Sequence, residues 1–383
     1  MSDPPSAHSL NCDARADAGA TDAVPPMVLD HLERLTGPYG VYEHARFDQP
    51  RVTHGYTTDD NARVLVVLAD LEDGNRSVTF RRALDFVLSG RVPSGWHNRM
   101  SSEGSWMDDL GSDDCHGQAL WGLGAVIGSG VAEDRVATSF VTGLDFRSQY
   151  LRSTSFAALG VVRARPHLPT EVDRFLDRLS VRYTFPPRKG WRWPEPRLTY
   201  ANARIPQAMI EVGSLTGSSR MLTDGLELLE WLTDVERRGG HFSFTPVGGR
   251  GPDEIGPSFD QQPIEAWAMA DACRSALDVD GSEEWRSVGT MAADWFLGCN
   301  DNGSILYDAQ TGAGFDGLES AGRNQNRGCE STLSALGSLA ARSHFSELRG
   351  GSSRSGEASC PVAVGPRKSR TASANEPAPR ETP

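Results

Sequence analysis

Carboxylates, amides and aromatic rings recur in five short polar segments of the sequence. Paired carboxyl groups can act as general acid and general base at a glycosidic bond. Amides and carboxylates can hydrogen-bond hydroxyl groups, and aromatic faces can stack on sugar rings. The segments therefore predict a carbohydrate-active site. They are HGYTTDDNAR (54–63), GSDDCHGQALW (111–121), WRWPEPRLTYANARIPQ (191–207), SFDQQPIEAW (258–267) and GRNQNRGCEST (322–332).

Four carboxyl groups in these segments are the candidates for acid and base catalysis. Glu195 or Glu330 is expected to be the acid, and Asp60 or Asp114 the base. Glu195 stands between two prolines and beside two tryptophans, and a carboxylic acid held against aromatic rings has its neutral form favoured. Each candidate also has a structural explanation. Asp can cap a helix, Glu at a helix start complements the helix dipole, and Glu195 can belong to a rigid surface loop.

A second set of polar and aromatic side chains is expected to bind the sugar, because the segments hold more hydrogen-bonding groups than helix capping needs. The set comprises Tyr56, Asp59, Asn61, Asp113, His116, Trp193, Tyr200, Asn202, Asp260, Gln261, Gln262, Glu265, Asp316 and Asn326. His116 could hydrogen-bond hydroxyl groups, act as a base or be a satisfied wall residue. It lacks the H-x-x-x-H or H-E-x-x-H spacing of a metal site. Neither a metal nor an organic cofactor is expected.

The elements that must position these residues are helices. Odd-numbered helical stretches such as TFRRALDFVLSG are amphipathic, which suits an outer layer, whereas even-numbered ones such as ALWGLGAVIGSG are apolar or small all round, which suits an inner layer. Five inner starts carry the polar segments, so the pattern predicts an all-α (α/α)6 toroid with its site at one end of the axis. The twelve stretches, found by their helical period, are 26–36, 59–72, 78–89, 114–128, 132–150, 154–164, 169–183, 200–216, 219–235, 260–278, 282–297 and 329–345.

Composition narrows the classes of partner and location. With 38 Lys and Arg against 51 Asp and Glu, the net charge is −13 and no basic block marks a nucleic-acid surface. No run approaches the roughly 20 apolar residues of a membrane span, so no membrane contact is expected. Residues 1–23 lack the basic start and apolar stretch of a secretory signal. The six cysteines have no C-x-x-C spacing, and a cytoplasmic protein with reduced thiols is expected.

Three regions are predicted along the 383 residues. Residues 1–24 are expected to be a flexible N-terminal segment and residues 25–348 the carbohydrate-active (α/α)6 domain. Residues 349–383 are rich in Gly, Ser and Pro with almost no large apolar residue. Such a segment cannot bury enough surface to offset chain entropy, so a disordered tail is predicted.

Several motifs together resemble those of a bacterial six-hairpin-glycosidase-like family whose members are often labelled glycosyltransferase. They are GYTTDDNAR, SDDCHGQALWGLG, LTYANARIPQA, FDQQPIEA, and WFLGCNDNGSILYD followed by GCEST, and the resemblance runs from about Gly37 to Leu348. It implies an (α/α)6 domain that acts on carbohydrate. The transferase label does not follow, because no Gly-rich turn between a strand and a helix is present to hold a nucleotide sugar. Gln118 departs from the pattern, since it stands where a basic residue is expected after the His-Gly pair.

Three hypotheses for function remain open. The leading one is a glycoside hydrolase that cleaves an oligosaccharide or polysaccharide with two carboxyl groups and inversion of configuration. The second is a sugar epimerase or isomerase in which His116 shuttles a proton together with His54, His97 or His241. The third is a non-catalytic glycan-binding partner of a glycosyltransferase.

Overall fold

The computed structural model describes residues 24–131, 133–183, 190–254 and 256–351. This part of the chain is mainly helical and contains twelve helices. The predicted N-terminal segment up to residue 23 and the predicted tail from residue 352 lie outside the described residues. The helices are α1 Asp30–Arg34, α2 Thr58–Asp70, α3 Val78–Ser89, α4 Asp113–Gly128, α5 Asp134–Gly143, α6 Leu151–Ala164, α7 Pro169–Arg182, α8 Arg204–Thr216, α9 Ser219–Glu236, α10 Pro263–Asp280, α11 Glu283–Asp294 and α12 Cys329–Gly351.

The even-numbered helices form a closed inner ring, which confirms the predicted (α/α)6 toroid. Each packs on the next, in the order α2, α4, α6, α8, α10 and α12, and α12 packs against α2. Nearly all residues of α4 and α10 are buried, whereas α3 and α9 each bury only some of their residues. The all-round apolar sequences therefore mark helices that have neighbours on every side.

Small residues allow two inner helices to approach closely. A Cβ atom added at Gly124 of α4 would lie 2.2 Å from the carbonyl oxygen of Gly160 in α6. A Cβ atom added at Gly160 would lie equally close to the carbonyl oxygen of Leu120. The glycines are therefore required by the contact between the two helix backbones.

Aromatic side chains fill the space inside the inner helices, below the end where the polar segments lie. Trp121 of α4 stacks on Trp267 of α10, with ring centroids 5.4 Å apart. The Arg204 guanidinium lies about equally far from both rings, at 4.6 and 4.5 Å, and forms an ion pair with Asp271 at 2.7 Å. All four side chains are buried, so this part of the axis is packed core.

The connections between helices contain six antiparallel pairs of two-residue strands. Each strand is too short to form a sheet layer. The pairs are β1–β2, β3–β6, β4–β5, β7–β8, β9–β10 and β11–β12. The strands are β1 Ala45–Arg46, β2 Gln49–Pro50, β3 Tyr56–Thr57, β4 Arg91–Val92, β5 Gly95–Trp96, β6 Arg99–Met100, β7 Arg237–Arg238, β8 His241–Phe242, β9 Tyr307–Asp308, β10 Ala313–Gly314, β11 Leu318–Glu319 and β12 Gly322–Arg323.

Several helix boundaries differ from the prediction. The first stretch, predicted at 26–36, yields only the five residues of α1, and the stretch 132–150 yields only α5. Helix α8 begins at Arg204 instead of 200, because Ala201 has a φ of 44°, which no right-handed helix contains. Helix α12 continues to Gly351, six residues beyond the predicted end.

Candidate active site

A pocket of about 260 Å³ opens at the axis, where the first turns of inner helices meet. We call it the axial pocket. Helices α2, α10 and α12 contribute to it, together with the α1–α2 and α11–α12 connections. Its lining consists of Glu43, His44, Asp59, Asp60, Arg63, Pro263, Asp316, Gly328, Glu330 and Ser331. Five carboxyl groups and a single guanidinium thus surround one space.

Arg63 joins two of the predicted catalytic residues. Its Nη1 donates to Asp60 Oδ1 at 2.7 Å, and its Nη2 lies 3.0 Å from Glu330 Oε2. Asp60 also accepts a hydrogen bond from the Thr57 hydroxyl at 2.9 Å. The Asp60 side chain is only 6% exposed, whereas that of Glu330 is 39% exposed. Asp60 is therefore held in the wall, and Glu330 is the member of the pair that a ligand can reach.

Two carboxyl groups of the axial pocket, those of Asp60 and Glu330, have a raised pKa. Burial raises the pKa of Asp60 to about 8, and the charges of Asp59 and Glu330 act in the same direction. Burial also raises the pKa of Glu330, again helped by Asp59. Arg63 opposes both shifts, but one guanidinium cannot balance three neighbouring carboxylates. The raised pKa favours the protonated forms of Asp60 and Glu330, and the protonated form is the state that a general acid requires.

Asp114, at the start of α4, accepts hydrogen bonds from three side chains. Tyr200 donates its hydroxyl hydrogen, Ser153 Oγ donates at 3.2 Å, and Gln118 Nε2 donates at 3.1 Å. Burial raises the pKa of the Tyr200 phenol, so it remains a donor. The charge of Asp114 contributes to the raised pKa of Glu330. Asp114 is thus a fixed acceptor within electrostatic range of the axial pocket.

Glu195 lies in the proline-bracketed loop, as its sequence predicts, and is tied to an arginine. Arg152 Nη2 donates to Glu195 Oε2 at 3.1 Å and to Asn202 Oδ1 at 3.3 Å. Trp193 donates from its Nε1 to Glu195 Oε2 at 3.4 Å. The Trp193 ring is fully buried and stacks on Trp231, so it belongs to the core and offers no face to a sugar.

Glu265 organises the loop before α8. Its carboxylate accepts from the backbone N–H of Ala201 at 2.5 Å, and from the backbone N–H and side-chain Nδ2 of Asn202, both at 3.1 Å. Glu265 and Asn202 are both buried. Burial, with the charge of Glu236, raises the pKa of Glu265 to about 8. The contacts fit a scaffold that positions the Glu195 and Tyr200 loop.

Three further predicted binding residues are buried among protein partners. Asn61 accepts from the backbone N–H of Val41 at 2.8 Å. Gln261 accepts from the Trp295 Nε1–H at 3.2 Å. Tyr56 is fully buried and its ring stacks on Tyr42, with centroids 4.5 Å apart. These side chains hold the connections that surround the axial pocket.

Asp113 and His116 face a different space from Asp114. They line a cavity of about 330 Å³ outside the inner ring, which we call the side cavity. Its lining consists of Arg91, Pro93, Ser94, Gly95, Trp96, Leu110, Asp113, His116, Thr142, Gly143, Asp145, Phe146 and Arg147. Asp113 accepts from the Ser148 hydroxyl at 2.7 Å. Burial lowers the pKa of His116, whose ring lies edge-on to Phe146.

The long connection before α12 brings two predicted residues together. Asp316 lines the axial pocket and accepts from the backbone N–H of Gly328 at 2.6 Å. The backbone carbonyl oxygen of Asn326 accepts a hydrogen bond from the backbone N–H of Asp316 at 2.9 Å. At the start of α10, Asp260 is exposed and Gln262 is half-buried, and neither lines the axial pocket.

Glu43, His44 and Arg63 line the axial pocket but were not predicted. Glu43 forms an ion pair with Arg99 at 2.8 Å. Its hydrogen bond to His44 raises the pKa of His44. Glu43 and His44 stand in the α1–α2 connection, well before the first residue of α2, so the search at helix starts could not find them. The spacing of Arg63 three residues after Asp60 was a usable signal, because residues three apart share a helix face.

The histidines of the isomerase hypothesis lie in separate environments. His116 lines the side cavity, and His97 stacks on the Trp106 ring at 5.0 Å. His241 binds Asp301 at 3.0 Å. His54 lies with its Nδ1 3.1 Å from Nδ1 of His44, so the one histidine that lines the axial pocket has a histidine neighbour.

Two further findings concern the described residues as a whole. No group of three or more His, Cys, Asp or Glu side chains among them is arranged to hold a metal ion. No helix among them has the length and apolarity needed to cross a bilayer.

Several solved structures share the fold of this chain. No family model matches the sequence, and no curated protein matches it. Among solved structures, cellobiose 2-epimerase from Bacillus thermoamylovorans superposes with a TM-score of 0.61 at 10% identity, over 84% of this chain and 96% of that chain. The GH76 α-mannanase of Bacteroides thetaiotaomicron gives a TM-score of 0.58 at 10% identity, over 83% and 93%.

A cellulase of C. cellulolyticum gives a TM-score of 0.51 at 9% identity, over 80% of this chain and 87% of that chain. These likenesses show the fold, which is the six-hairpin glycosidase-like (α/α)6 toroid. The same fold thus occurs in hydrolases and epimerases, so the chemistry must be argued from the site.

Proposed function

We propose that this protein is a glycoside hydrolase whose axial pocket binds the sugar at the scissile bond. The observation that carries the proposal is the Arg63 cluster, in which one guanidinium serves Asp60 and Glu330 beside Asp59. The raised pKa of both carboxyl groups favours a protonated carboxyl group in a space that is open to a ligand. Hydrolysis by two carboxyl groups needs one protonated and one ionised member.

In this reaction Glu330 is the acid and Asp114 is the base. Glu330 gives its proton to the glycosidic oxygen as the bond from that oxygen to the anomeric carbon breaks. Asp114 takes a proton from the water whose oxygen attacks the anomeric carbon from the opposite face. The products are two sugars with inverted anomeric configuration. Asp60 keeps Arg63 in place, and Asp59 and Asp316 hydrogen-bond hydroxyl groups.

Asp114 does not itself line the axial pocket, and it is proposed as the base because its charge acts on Glu330 and because of its surroundings. Its three side-chain contacts are all donors, so the carboxylate acts as an acceptor. Glu195 is a weaker candidate for the acid, because it does not line the axial pocket and Arg152 and Trp193 both bind its Oε2. The second prediction for the base, Asp60, is enclosed by Arg63 and Thr57.

A sugar epimerase or isomerase is a second candidate, favoured by His44. This histidine lines the axial pocket beside Glu43 and is in contact with His54. His44 could move a proton within the axial pocket. The four predicted histidines could not act together, because they lie in separate environments. A glycan-binding partner of a glycosyltransferase is the third candidate for the function. The cytoplasmic location of the protein stays a prediction.

A proton NMR time course with manno-, gluco-, galacto- and arabino-oligosaccharides tests these candidates. We expect new reducing-end signals, with the inverted anomer appearing first, and their loss in Glu330→Gln and Asp114→Asn. Glu283→Gln is the matched control, since Glu283 begins outer helix α11 and its side chain is 74% exposed. Interconversion of free sugars without cleavage would establish the epimerase. Broadened ligand lines without any product would establish the binding protein.

A further inference from the structure

Exposed apolar side chains are unevenly distributed between the two ends of the toroid. Ten large apolar residues are exposed in the described part of the chain. Eight lie in connections that lead from an outer helix into an inner helix, at the end that holds the axial pocket. They are Tyr39, Phe47, Val52, Met107, Leu110, Tyr150, Val247 and Ile305. Val78 and Leu348 lie at the opposite helix ends, so the exposed apolar side chains are concentrated at the end that holds the axial pocket.

Phe47 differs from the other seven in its backbone. It is 56% exposed and has a φ of 55°. The pairing of Arg46 with Gln49 makes Phe47 and Asp48 a two-residue hairpin loop between β1 and β2. Where φ is positive at the first position of such a loop, Gly is the favoured residue. A bulky aromatic there is an outlier, and such outliers concentrate where a side chain has a function.

The Phe47 backbone is fixed relative to the axial pocket. Its N–H donates to Asn326 Oδ1 at 3.0 Å. The carbonyl oxygen of Asn326 accepts from the backbone N–H of Asp316, which lines the pocket. His44, three residues before Phe47, lines the same pocket. The exposed ring therefore stands on a hairpin that is anchored to the pocket rim on two sides.

We propose that Phe47 is a stacking platform for a second sugar residue, next to the residue held in the axial pocket. An exposed aromatic face offers a large, rigid apolar surface to the C–H face of a neutral sugar ring. The carboxylates of the pocket would repel an acidic sugar, so the substrate is a neutral oligosaccharide of at least two residues. The proposal rests on the proposed function in taking the axial pocket as a sugar site.

Binding measurements separate this inference from catalysis. The Glu330→Gln protein is titrated with a tetrasaccharide and with the matching monosaccharide from each of the four series, and saturation-transfer NMR gives the affinities. Phe47→Ala is expected to weaken tetrasaccharide binding about tenfold, as loss of one stacking contact does. Monosaccharide binding should be unchanged. Phe47→Trp should keep the tetrasaccharide affinity.

Two further variants control for the backbone and for exposed surface. Phe47→Gly removes the ring and also relieves the backbone strain, because glycine adopts a positive φ without a steric cost. If the ring is what binds, this variant should lose the same affinity as Phe47→Ala. Val78→Ala removes a 65% exposed side chain at the opposite end and should have no effect. Unchanged tetrasaccharide binding in Phe47→Ala, or an equal loss for the monosaccharide, would overturn the platform. Hydrolysis that fails while the tenfold effect remains would overturn only the proposed reaction.

Discussion

The axial pocket and the side cavity are two spaces of similar size with opposite chemistry. The axial pocket, about 260 Å³, has five carboxyl groups around one arginine. The side cavity, about 330 Å³, has two arginines, two aspartates and several apolar side chains. Size alone would favour the side cavity. The concentration of like charges favours the axial pocket, because only crowded carboxyl groups share a proton.

The two spaces meet at the first turn of α4. Asp113 and His116 line the side cavity, while Asp114 accepts hydrogen bonds from Tyr200 and Ser153 and its charge acts on Glu330 of the axial pocket. Successive helical residues are rotated by about 100°, so adjacent aspartates can serve different sites. An Asp-Asp pair at a helix start therefore identifies two candidates of which only one needs to be catalytic.

The largest expected difference between the two spaces is in catalytic rate. Glu330→Gln and Asp114→Asn should each lower kcat by about a thousandfold, the scale of lost general acid or base catalysis. Asp113→Asn and His116→Ala should leave kcat nearly unchanged. Steady-state kinetics on the oligosaccharide that the NMR panel identifies would measure both effects. A large loss of kcat in Asp113→Asn would move the reaction to the side cavity.

The next effect is in stability. Arg63→Leu should lower the free energy of unfolding by about 3–5 kcal/mol, since it leaves the buried Asp60 without its cation. Arg91→Leu in the side cavity should cost only about 1 kcal/mol. Arg91 donates to the backbone carbonyl oxygens of Val92 and Gly95 and to the Thr142 hydroxyl, which are all uncharged acceptors. Urea unfolding of both variants tests the difference. Equal losses of unfolding free energy in the two variants would mean that the charge of Arg63 does not stabilise Asp60.

A smaller and graded effect is expected with pH. The raised pKa of Glu330 means that the acid is protonated below this pKa and inactive above it. The value of kcat/KM should therefore fall as pH rises through the Glu330 pKa. Profiles measured from about pH 4 to pH 9 should show this alkaline limb in the parent protein and in Asp113→Asn. A profile without an alkaline limb would exclude Glu330 as the acid.

The smallest expected effect concerns packing beside the side cavity. A Cβ atom added at Gly95 would lie 1.9 Å from Cε1 of His116. Gly95→Ala should therefore displace the imidazole and lower the free energy of unfolding by about 1–3 kcal/mol. Thermal unfolding measures this loss, while kcat at the axial pocket should be retained. Loss of activity in the folded variant would show that the two spaces are coupled through α4.

Much of the fold could be predicted from the sequence because the helix pattern is local. Apolar and small residues on all sides of ALWGLGAVIGSG mark an inner helix wherever that helix lies, and amphipathic stretches mark outer ones. Helix boundaries were less predictable. The start of α8 depends on the φ of Ala201, which Glu265 stabilises from another helix.

The residue types of the axial pocket were also accessible from the sequence. Asp60 and Glu330 were selected because they stand at inner-helix starts, and the ring of helices brings them to the same arginine. Glu43 and His44 could not be selected, since they enter from a connection and their nearness to Asp60 depends on tertiary contacts.

The sequence by itself determined which helices are inner, which helix ends carry polar groups, and that Asp60 and Glu330 stand at the starts of inner helices. Only the tertiary structure decided that Asp114 bonds Tyr200 while Asp113 lines the side cavity, and that Trp193 is buried. The physical reason is that apolar periodicity is a property of neighbouring residues. Desolvation and the sharing of one guanidinium by several carboxylates depend on residues that are distant in the chain.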